Sequence, residues 1–117
     1  MKHQRKNRTF GRVRSERSAL LRGLALSLIE RGKIVTTEAK AKELRSYVEK
    51  IITGAKVDTI ASRRNATAKL GDQKGILVKK LFAEVAPKYM ERNGGYTRVI
   101  KMGRTAAGRT EAVIELV

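Results

Sequence analysis

Reactive side chains are scarce in this chain. His3 is the only histidine and there is no cysteine, which excludes disulfides, thiolate metal sites and a cysteine nucleophile together. A catalytic imidazole needs a fixed partner and a pocket. His3 lies in a polar N-terminal stretch that offers neither, so a solvated histidine is expected. Zinc needs three or four His, Cys or carboxylate ligands, whereas Glu38, Glu43 and Glu49 are interleaved with lysines and read as a solvated helix face. Gly94 and Gly95 precede a strand pattern, where a dinucleotide loop would follow a strand and lead into a helix. They read as a turn admitting the chain to a sheet, with close backbone approach to a phosphate as the alternative.

The plentiful chemistry is cationic. The chain has 117 residues, with 27 Lys/Arg against 11 Asp/Glu and a formal charge of +16. The opening "MKHQRKNRTFGRVRSER" holds seven of the cations and one acid, leaving +10 on the rest. A stretch so poor in apolar surface cannot offset its ordering entropy, so it is expected to be disordered alone and to order on a partner. Solubility does not require such a charge, and a polyanion is the partner that suits it. Arginine's planar fork fits phosphates and stacks on bases. No helix-turn-helix, zinc-finger or zipper pattern favours duplex DNA, and a thin basic tail suits folded RNA, though DNA phosphates would attract it equally.

The elements that must present these charges follow from periodicity. Ser15 is a candidate N-cap for a helix over 16–31, where Leu20, Leu24 and Leu28 repeat at helical spacing and Gly32 provides the C-terminal cap. "KIVTT" reads as a strand. Thr37 caps a second helix over 38–53, with Ala41, Leu44 and Val48 on its apolar face. Asp58 is the expected cap of a thin third helix carrying Arg63 and Arg64, which join the candidate RNA-binding set. A fourth helix begins near 73 and is limited by Pro87. "YTRVIKM" and "EAVIELV" alternate as two strands, joined by "GRTAAGRT" with Arg104 and Arg109 at its tip. The expectation is a two-layer α+β domain over 15–117, a small sheet packed against helices, behind a basic extension over 1–14. The size suits one core.

The blocks "KIVTTEAKAKELRSYVEKIITGAK" (33–56), "RNGGYTRVIKMG" (92–103), the closing "IELV" and the opening "MKH" resemble the bacterial ribosomal large-subunit protein seventeen family over nearly the whole chain. The resemblance implies the same order of helix, strand, three helices and two strands. It also implies a structural component that binds large-subunit ribosomal RNA beside other ribosomal proteins near the polypeptide exit region. The RNA contacts it implies are Lys2, His3, Arg5, Lys6, Arg8, Arg12 and Arg14 in the extension, and Arg17 and Arg22 on the first helix. Thr36, Thr37 and Lys40 follow from the first block, and Tyr96, Arg98 and Lys101 from the second. "GRTAAGRTEA" departs from the family pattern, so Arg104 and Arg109 receive no role. The expected function is thus a cytoplasmic, ribosomal, RNA-binding structural protein without cofactor, metal, membrane or small-molecule substrate. A DNA-binding nucleoid or regulatory protein is the alternative, and an RNA-modifying enzyme a distant third.

Overall fold

The computed structural model of the chain describes residues 14–72 and 74–117. The expectations for Lys2, His3, Arg5, Lys6, Arg8 and Arg12, and for an extension that orders on binding, lie outside those residues. The described chain runs α1 (Arg14–Arg31), β1 (Lys33–Thr37), α2 (Glu38–Ala55), α3 (Ile60–Leu70), α4 (Ile76–Lys80), β2 (Thr97–Arg104) and β3 (Thr110–Leu116). It is the expected α+β order.

Helix α2 forms because Ala41, Leu44, Val48, Ile51, Ile52 and Ala55 recur at three- and four-residue spacing, and all six are buried. This face packs on the sheet and against α1 and α3. Thr37 caps the helix as expected, its Oγ1 accepting from Lys40 N at 3.3 Å. Gly32 ends α1 with φ +82°, its N–H donating to Leu28 O at 2.7 Å. That left-handed conformation is strained for any residue with a Cβ.

Three boundaries differ from expectation. Ser15 lies inside α1, which already includes Arg14, so Ser15 is not its cap. Helix α3 is capped by Thr59, whose Oγ1 accepts from Ser62 N at 3.1 Å; Asp58 instead receives Arg63 Nε at 2.6 Å and Nη2 at 2.9 Å. A full charge binds the arginine fork more strongly than it binds one amide. The fourth helix starts at Ile76 rather than near 73. There Asp72 reaches past the glycine to accept from Leu77 N at 2.8 Å and Val78 N at 2.9 Å.

Pro87 acts earlier than its position suggests. It has no N–H to offer the carbonyl four residues back. The ladder widens into a π-helical turn at Leu81–Val85, followed by the short α turn Ala86–Lys88. Wide turns of this kind arise where the regular ladder is interrupted. Leu81, Phe82 and Val85 stay buried through it.

The sheet is antiparallel in the order β1-β3-β2. Ala112 and Ile114 of β3 face the helices and are fully buried. Val35 pairs with Val113, which pairs with Ile100, giving an apolar row across the outward face. Val35 is 58% exposed and Ile100 45%. In β2 the register shifts between Lys101 and Gly103, a bulge at Met102, with Gly103 at φ +89°.

Candidate nucleic-acid interface

The described candidates fall into three groups. Arg14, at the start of α1, and Arg64, on α3, are exposed, while Arg17, Arg22 and Lys40 are half-buried. The Arg22 stem lies against Gly71, where an added Cβ would sit 3.4 Å from Arg22 Cδ.

A second group is exposed and ion-paired within the chain. The Asp58 carboxylate holds Arg63, whose guanidinium also sits 4.9 Å from the Phe82 ring centroid. That hydrogen bond keeps the Asp58 carboxyl below its usual range. Arg98 Nε donates to Glu115 Oε1 at 2.9 Å, across the register pair that joins them. Lys101 Nζ approaches Glu38 Oε1 at 3.5 Å, and Lys42 Nζ reaches the same oxygen at 2.8 Å. The Lys42 hydrogen bond is the main reason the Glu38 carboxyl is lowered, with Lys101 adding to it against desolvation. Exposed pairs like these add little stability. Arg63 and Arg98 each face one carboxylate, whereas Glu38 is shared by two lysines and leaves one positive charge uncancelled.

The third group is structural. Tyr96 is 1% exposed, its hydroxyl 3.0 Å from Thr53 Oγ1 and its ring centroid 5.2 Å from that of Tyr89. Lys56 Nζ lies 4.6 Å from the Tyr96 centroid. The ring offers no free face for a base, so its place beside Gly95 and Arg98 does not make it a surface aromatic. Thr36 is buried in β1, and the Thr37 hydroxyl is occupied as the cap of α2. Gly94 and Gly95, at φ +99° and +65°, form the turn into β2.

The sequence reading passed over other exposed cations, including Arg31, Lys33, Arg45, Lys74 and Lys79. Arg31, Arg45 and Lys79 carry the signal of the polar half of a helical period, whereas Lys33 lies in β1 and Lys74 in the turn before α4. Among the described residues, no three or more His, Cys, Asp or Glu are placed to hold a metal ion. No helix among them is long and apolar enough to cross a membrane.

A family model described as "Ribosomal protein L17" matches residues 20–117. This chain belongs to the ribosomal protein L17 family. Relatives of the family align along its whole length. The large ribosomal subunit protein bL17 of Sulfurihydrogenibium sp. is 50% identical, covering 100% of this chain and 97% of its own. The bL17 of Fusobacterium nucleatum is 48% identical with 100% of both chains covered. That of Sulfurimonas denitrificans is 50% identical, again over 100% of both. The L17 family is the one anticipated from the TTEAKAKELR and GGYTR blocks, and both blocks lie in elements that enclose the core.

Proposed function

We propose that this chain is a structural constituent of the large ribosomal subunit. It binds large-subunit ribosomal RNA through its N-terminal cations and its basic surface, without a catalytic role. Beside the family match over residues 20–117, the reading is supported by how five of the eleven acids are spent. Glu38, Asp58 and Glu115 are held by this chain's own cations, Asp72 caps the fourth helix, and Glu49 accepts from Thr97 Oγ1 at 2.9 Å. The surplus positive charge is left facing outward on the helices. Each cation that neutralises a phosphate releases condensed counterions.

Within this reading Arg14, Arg17, Arg22, Arg64 and Lys40 contact phosphates directly, alongside the N-terminal cations. Tyr96, Thr36 and Thr37 serve the interface by holding β1, α2 and β2 in place. Neighbouring proteins near the polypeptide exit region complete the setting, in ribosomes of the cytoplasm. The apolar row Val35, Val113 and Ile100 is the surface that suits them.

Cosedimentation tests the proposal. The chain should travel with large subunits through high-salt washing and be released by ribonuclease. Release by a DNA nuclease, with the chain found on the nucleoid, would establish the DNA-binding alternative instead.

A further inference from the structure

We propose that the groove between α2 and α3 seats one phosphodiester group of the RNA, a site that rests on the RNA-binding reading above. Lys50, Ile51, Gly54 and Ala55 form one wall, and Ser62, Asn65, Ala66 and Lys69 the other. The cavity is about 70 Å³, room for the non-bridging oxygens of one phosphate and too little for a base.

Its chemistry is that of an anion seat. Lys50 and Lys69 are exposed and, among the described residues, neither is in an ion pair. The Ser62 hydroxyl accepts from Thr59 Oγ1 at 3.0 Å, which leaves its own proton to donate. Asn65 adds a carboxamide donor. No carboxylate lines the groove.

Gly54 supplies the second argument. It sits in the last turn of α2, one residue before Ala55, and lines the groove. Nothing in the chain uses its missing side chain, since an added Cβ would meet no atom within 4 Å. The groove is open at Gly54, and a longer side chain at this position would enter it.

The test uses the full chain, deproteinised large-subunit ribosomal RNA and a KCl titration. Lys50→Ala with Lys69→Ala should weaken binding roughly 3- to 10-fold and reduce the slope of log K against log [KCl] by about one. Gly54→Gln fills the groove without removing charge. It should lower affinity by a similar factor while its thermal midpoint stays level or rises, because glutamine is the better helix former. Opposite signs in affinity and stability separate a blocked seat from a damaged fold. Parental affinity and slope in both variants would overturn the groove and leave the RNA-binding reading standing. A parent chain that ignores ribosomal RNA would overturn both.

Discussion

Glu38 joins the sheet layer to the helix layer through charge, accepting Lys42 from its own helix and Lys101 from β2. Its folded carboxyl titrates below the ordinary 4.5. A lowered carboxyl contributes stability that is present above its unfolded pKa and lost as pH falls through the folded one. Glu38→Gln should therefore flatten the fall in thermal midpoint between about pH 5 and pH 3; an unchanged acid limb would show that the pair carries no folding linkage. Thr37 makes a different contribution, one cap hydrogen bond to the first turn of α2. Thr37→Ala should cost about 1 kcal/mol in denaturant unfolding.

At the scale of elements, one glycine within α1 and one just after it separate conformation from space. Gly32 needs its positive φ, so Gly32→Ala should destabilise by about 1 kcal/mol. Gly23 is helical, and a Cβ there would meet nothing within 4 Å, so Gly23→Ala should stabilise by about 0.5–1 kcal/mol. Urea melts of the two variants should move in opposite directions. Elements of this kind were legible because their signals are local: a threonine before an apolar period, a glycine after one. The helix-three cap was misread because Asp58 and Thr59 are both good caps in sequence, and only the arginine four residues beyond Thr59 removes the first from competition. The π turn was illegible because Pro87 predicts an interruption but not how the preceding ladder absorbs it. The burial of Tyr96 was illegible for a related reason. Its neighbours in sequence are glycines and cations, while its neighbours in space are Tyr89 and Thr53.

At the scale of the molecule, a formal +16 makes the isolated chain repel itself. Raising salt should raise its thermal midpoint by screening that repulsion, and the same salt should weaken RNA binding. Deleting residues 2–13, which hold five Lys/Arg, should reduce the salt slope by roughly four; an unchanged slope would remove those residues from the interface. The acids gave little sign in sequence of where they would be spent, because pairs such as Arg98 with Glu115 depend on sheet register. The central position of β3 has a consequence for biosynthesis. Lys33 is laid against Glu115 and Arg98 against the same residue, so both outer strands must wait for β3, which follows them in the chain. A nascent polypeptide stalled before Thr110 would hold two strands with nothing between them.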